Sequence, residues 1–150
     1  MLHDIQQKLK APKNQLNKFV GYNYRSCEDI LEAVKPLMTD GVTLTLSDEM
    51  MDVGGRIYVK ATATLTWPDG NASAHGWARE AETKKGMDDA QVTGAASSYA
   101  RKYALNGLFC IDDTKDADAT NQHNKQTKQQ PDKEAMAVSK AKELRAALEA

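Results

Sequence analysis

At 150 residues the chain has room for one domain and a single core, and its net charge of −1 excludes a uniformly basic surface for a polyanion. Any nucleic-acid binding therefore has to come from a local groove. Cys27 and Cys110 are the only cysteines and form no C-x-x-C pair, which excludes a disulfide framework and a zinc knuckle and predicts a reducing, cytoplasmic setting. No apolar leader and no apolar run of membrane-spanning length occurs, so no membrane partner is expected.

In chain order, Leu2, Ile5 and Leu9 fall at helical spacing and predict a short amphipathic helix, broken by Lys10–Asn14 with its Pro12. Lys8, Lys10, Lys13, Lys18 and Arg25 stand against Asp4 alone in this N-terminal stretch. The run NKFVGYNYRS reads as irregular. Its interleaved aromatics and cations suit either stacking on bases or anchoring a loop to the core. Ser26, with Asp29 three residues on, predicts a capped helix whose buried face is Ile30, Leu31, Val34 and Leu37. Pro36 kinks or ends it, and Thr39-Asp40-Gly41 is the exit turn.

From Val42 the period drops to two. Val42, Leu44 and Leu46 alternate with hydroxyl residues, Gly54-Gly55 marks a turn, and Ile57, Val59, Ala61, Ala63, Leu65 and Trp67 alternate with polar residues. Pro68-Asp69-Gly70-Asn71 predicts a tight turn and Ala72–Glu82 a third strand. The expected fold is α+β: a three-stranded antiparallel β-meander covered by a long helix, with N-terminal helices and a flexible tail.

The covering helix is Asp89–Asn106. Asp88 and Gln91 form a capping box, Arg101 and Lys102 lie towards its negative end, and Gly107 is the expected left-handed terminator. Val92, Ala96, Tyr99 and Tyr103 share one stripe, read as core. Gln91, Gly94, Ser98 and Arg101 share a small, polar stripe that admits a close backbone and ends in a cation.

After Ile111 the composition shifts. Asp112–Gln130 has no aromatic and only alanine among its hydrophobic residues, which predicts a flexible linker. Ala135, Val138, Ala141, Leu144 and Leu148 then line one thin helical face. The predicted division is a core over 1–113, a linker over 114–131 and a helical segment over 132–150.

No phosphate-binding G-x-x-x-x-G-K-[ST] loop occurs. His3, His75 and His123 have no metal-ligand spacing, and Asp112, Asp113, Asp116 and Asp118 miss the calcium-loop pattern. No nucleophilic triad is suggested, so no covalent enzymatic activity and no cofactor are expected; magnesium assistance is unassigned.

Three stretches, KAPKNQ…YNYRSCEDILEAVKPLM, GWAREAETKKGMDDAQ and TGAASSYARKYALNGLFCIDD, together resemble the essential recombination function (Erf) family of bacteriophage single-strand annealing proteins. The resemblance covers about Ala11–Asp113. It implies an ATP-independent recombinase in phage homologous recombination that coats single-stranded DNA, anneals complementary strands and assembles into homo-oligomeric rings or filaments in the bacterial host. Carried over by motif, Tyr99, Arg101, Lys102 and Tyr103 occupy the helix motif, Lys84 and Lys85 the start of that helix, and Tyr24 and Arg25 the N-terminal motif. With Arg56, Lys60 and Arg79 from the sheet, these residues are expected to form one groove for the phosphate backbone. Tyr99 and Tyr103 either brace the helix on the sheet or stack on bases, with bracing preferred. Trp77 shares strand parity with His75 and Arg79.

The tail's partner stays open, with a host single-strand binding protein, an exonuclease or another recombination factor as candidates. Two alternatives compete: a non-catalytic protein-interaction module, and a nuclease built on Asp88, Asp89, Glu80 and Glu82. Those carboxylates are better read as a cap and a solvated strand end.

Overall fold

A computed structural model describes residues 1–111. The linker and the terminal helical segment expected beyond Asp113 lie outside the described residues. Elements run α1 (Leu2–Lys8), β1 (Gln15–Asn17), β2 (Tyr22–Tyr24), α2 (Cys27–Val34), a 3-10 turn (Lys35–Leu37), β3 (Thr43–Val53), β4 (Arg56–Trp67), β5 (Gly70–Arg79) and α3 (Asp89–Phe109). The fold is α+β, with an antiparallel sheet in the order β3-β4-β5 and a separate β1-β2 ribbon.

Local chemistry accounts for most boundaries. Ser26 and Asp29 form a reciprocal capping box: the Asp29 carboxylate accepts from the Ser26 N–H at 2.7 Å, and Ser26 Oγ accepts from the Asp29 N–H at 3.2 Å. Gln15 reaches the same carboxylate at 2.7 Å and ties β1 to the start of α2. Pro36 ends α2 by converting its continuation into the 3-10 turn. Gly54 and Gly55 both have positive φ, 63° and 78°, the two-residue turn that matches strand twist. The Asp52 carboxylate closes that turn by accepting from the Gly55 N–H at 2.8 Å.

Three expectations need correction. The stretch read as irregular contains β2 and the turn of a β1-β2 ribbon whose first strand begins just before it, at Gln15; short strands with no alternation leave no period to detect. The third strand runs Gly70–Arg79, so Gly70 belongs to the ladder, opposite Trp67, and Glu80–Glu82 do not. Gly107 does not end α3. The helix continues to Phe109, and Cys110 takes the left-handed conformation (φ 51°), with the Ile111 N–H donating back to the Asn106 carbonyl at 3.1 Å. Arg101 and Lys102 are therefore mid-helix and gain little from the helix dipole.

The alternating face of β4 (Val59, Ala61, Ala63, Leu65) is buried under α3. Along α3 the buried set is Val92, Ala96, Ala100, Ala104, Leu105, Leu108 and Phe109. Val92 and Ala96 are core as expected, whereas Tyr99 and Tyr103 are about half exposed, at 49% and 47%. Ala100 and Ala104 replace them because the helix lies too close to β5 for a ring: a Cβ on Gly76 would overlap the Ala100 carbonyl oxygen. The close approach comes from a glycine in the strand. Gly94, on the stripe expected to admit a neighbour, has nothing within 4 Å of its Cβ position.

The C-terminal half of α3 is covered on both sides, by the sheet below and by Ile5, Ile30 and Val34 of α1 and α2 in the same core above. Gln6 of α1 donates to the Leu108 carbonyl at 2.9 Å, satisfying one of the helix's last acceptors. A helix buried this way carries apolar residues around its cylinder, and its sequence loses a clear stripe. Among the described residues, no helix is long and apolar enough to cross a membrane.

Candidate nucleic-acid interface

Strand register sorts the predicted cations onto two faces. Cross-strand partners share a face, so the pairs Lys60–Trp77, Tyr58–Arg79 and Val53–Arg56 point away from α3, whereas Val59–Ala78 and Ala61–Gly76 point towards it. The Lys60 ammonium lies 3.3 Å from the Glu49 carboxylate on the outer face. One groove holding every predicted residue does not form.

Arg101 is engaged by its own fold. Its Nε lies 3.0 Å and its Nη2 2.9 Å from the Asp48 carboxylate of β3, which also accepts from Ser97 Oγ at 2.6 Å. Burial pushes the Asp48 carboxyl up, but the hydrogen bonds from Arg101 and Ser97 and the Arg101 charge outweigh it and hold the group below its usual range. The same bonds raise Arg101 further. This clasp fixes α3 against β3 and commits Nε and Nη2 of the partly exposed Arg101 fork to Asp48. Because the Asp48 pKa is depressed on folding, its contribution is present above about pH 4 and is lost as pH falls through the folded value. Asp48→Asn is expected to cost roughly 1 kcal/mol at pH 7, since the pair is partly exposed, and less at pH 3. Urea unfolding at both pH values measures this, and equal losses at the two would refute the assignment.

Lys102 behaves differently. Its ammonium sits 4.7 Å from the Tyr99 ring centroid and 5.8 Å from that of Tyr103. The two rings lie 6.3 Å apart, one turn from each other. Desolvation lowers the Lys102 pKa, and the nearby positive charges of Arg25 and Lys13 lower it further. Arg25, expected at a DNA surface, is 3% exposed, and so contributes charge from beneath. Tyr24 lies in β2 with its ring 6.4 Å from Tyr22 and does not line the groove described next.

Beside the tyrosines, an open groove of about 390 Å³ runs along the edge of β5 that is unpaired among the described residues, lined by Trp77, Arg79, Lys84, Ala95, Tyr99 and Tyr103. The loop after β5 brings Lys84 here but not Lys85. A smaller hollow of about 330 Å³ lies at the strand ends and mixes Arg56 and Arg79 with Glu80, Glu82 and Asp89. The carboxylates weighed for a nuclease have other work there. Asp88 caps α3, accepting from the Gln91 N–H at 2.8 Å, and Glu80 accepts from the Thr93 hydroxyl. Among the described residues, no three His, Cys, Asp or Glu side chains are grouped to hold a metal ion.

The structure thus joins Lys84, Arg79, Trp77, Tyr99, Tyr103 and Lys102 into one continuous strip at the β5–α3 edge. It separates Arg101 into the β3 clasp, Lys60 onto the outer sheet face, and Arg56 to the strand-end hollow. Asp48 carried no sequence signal as the common partner of Arg101 and Ser97, because those hydrogen bonds span 53 and 49 positions. Gly76 did carry one: an isolated glycine inside a strand marks close backbone approach.

Residues 1–145 match the family model described as the ERF superfamily. The chain belongs to this family. It is similar to the essential recombination function protein of Salmonella phage P22, at 61% identity over 133 residues, which is 89% of this chain and 64% of that protein. The chain thus spans a little under two thirds of the length of that ERF relative. No solved structure matches.

Proposed function

We propose that this ERF chain binds single-stranded DNA and anneals complementary strands without ATP, acting in phage homologous recombination as an assembly of identical copies. Support comes from its family and from the recombination function in the name of its phage P22 relative. The observation that carries the reading is Lys102 lying over two half-exposed tyrosines that continue into Trp77, Arg79 and Lys84. Cations along such a strip hold phosphates without reading sequence, and the rings take base faces. Stacking occupies the face of a base and leaves its pairing edge free, which is what a searching second strand requires. No covalent step is needed.

Fluorescence anisotropy with a labelled oligonucleotide is expected to show binding that weakens steeply with salt, and mixing complementary oligonucleotides is expected to show faster pairing in the absence of ATP. Lys102→Ala should weaken binding alike for all sequences and reduce the salt slope by about 1. Arg101→Ala should register mainly in stability. Salt-independent binding, or pairing no faster than in buffer, would end the proposal.

A second reading, a non-catalytic interaction module, draws on exposed apolar side chains that do not line the groove: Phe19 at 100% and Val20 at 69% in the β1-β2 turn, and Met50 and Val53 near the β3-β4 turn. A stable complex with another recombination protein in a pull-down, together with no gel shift at matched salt, is what that reading requires.

A further inference from the structure

The face of the sheet turned away from α3 is uncovered among the described residues, and its composition is more than solvated. An antiparallel sheet with one wet face ordinarily presents mixed polar residues there. Here the strand register places three cations, Arg56, Lys60 and Arg79, against one carboxylate, Glu49, in a field of hydroxyls such as Thr45, Thr62, Thr64 and Ser73. Three aromatic rings stand among them. Trp77 is 49% exposed, and the His75 ring packs edge-on at 5.9 Å from it. Thr62 Oγ1 fixes that imidazole through Nδ1 at 2.9 Å. Tyr58 pairs directly with Arg79, and Trp77 with Lys60, so two of the rings have a cation opposite them.

We propose that this outer face is a second subsite for single-stranded nucleic acid. The strand held along α3 crosses the edge of β5 and lays its bases on Trp77, His75 and Tyr58, with Lys60 and Arg79 beside its phosphates. The proposal rests on the reading above and extends it from one groove to a path over both sides of β5. Trp77 and Arg79 join the two parts, since they line the α3 groove and belong to the outer-face register. Lys60 and Arg79 set cations beside the rings, with Glu49 against Lys60 and Glu80 and Glu82 in the hollow that Arg79 also lines, so the rings more than net charge select the ligand. Exposed ring faces select unpaired bases, because a duplex hides its base faces.

The test uses indole fluorescence in the full chain. Trp67 and Trp77 are the only tryptophans, so Trp67→Phe leaves Trp77 as the sole reporter. Titration with a thymidylate oligomer of about 16 nucleotides is expected to quench Trp77, whereas an abasic phosphodiester of equal length binds without quenching. Tyr58→Ala with His75→Ala, in the otherwise native chain, should weaken oligonucleotide binding roughly fivefold or more and leave abasic binding unchanged. An oligonucleotide that binds and anneals with undiminished affinity to this double variant overturns the second subsite while sparing the groove. Equal losses on both ligands also overturn it, because stacking is then not involved. Absence of binding to either ligand by the native chain overturns the groove and the subsite together.

Discussion

Gly76→Ala is expected to destabilise the fold by about 3 kcal/mol or more, the upper part of the range for overpacking a well-filled interior. The added Cβ would overlap the Ala100 carbonyl oxygen, lie 2.5 Å from the Ala104 nitrogen and 2.9 Å from the Tyr103 Cβ. Two of these atoms are helix backbone, so no rotamer change relieves the clash. Either α3 lifts from β5 or the strand bends away, and both open the layer that buries Ala61, Ala63 and Leu65. In a domain of this size the melting temperature should fall on the order of 10–20 °C. Gly94→Ala is the matched control. Its Cβ meets nothing within 4 Å and the position is helical, so reduced unfolded-state freedom should raise stability by about 0.5–1 kcal/mol. The substitution is the same and the sign opposite. A small effect at Gly76 would mean that α3 and β5 are not in contact as described.

Tyr99→Ala with Tyr103→Ala is expected to weaken single-stranded DNA binding by roughly 30-fold or more, from about 1–3 kcal/mol for each of two stacked bases. Lys102 sharpens this expectation. Its ammonium is partly desolvated over both rings, and removing them returns it to water and loosens its position. Because the rings are half exposed, the double variant should keep its far-UV spectrum and most of its stability, which separates this result from a folding defect. Tyr99→Phe with Tyr103→Phe should retain most of the affinity, since the stacking face survives without the hydroxyl. Unchanged binding by the alanine pair, measured by anisotropy at fixed salt, would remove the tyrosines from the interface and return them to a purely structural role.

These expectations invert the preference drawn from the sequence, in which the tyrosines were braces and Arg101 a phosphate ligand. Helical spacing put Tyr99 and Tyr103 on the stripe of Val92 and Ala96. Spacing fixes an angle around the axis, however, and not how near the axis comes to its neighbour. Once Gly76 draws the helix onto β5, only alanine fits at the contact, and the rings are displaced to its flank. Likewise nothing local marks Asp48 as the partner of Arg101. Asp48 lies in the inward register of β3, opposite Ala61, and only the meander's order sets it beside α3.

What the amino-acid order determined by itself was everything governed by neighbours within a few residues. The capping boxes at Ser26–Asp29 and Asp88–Gln91, the paired glycines at the β3-β4 turn, and the two-residue alternation of β4 are all of this kind. So were the family motifs, which lie in contiguous stretches. The tertiary structure alone decided which face each cation joins, which cation is already spent on a carboxylate, and which aromatic rings meet water. Those outcomes depend on strand register and on the distance between layers. Both are set by packing between segments tens of residues apart, where one methyl group, present or absent at Gly76, decides which side chains are left at the surface.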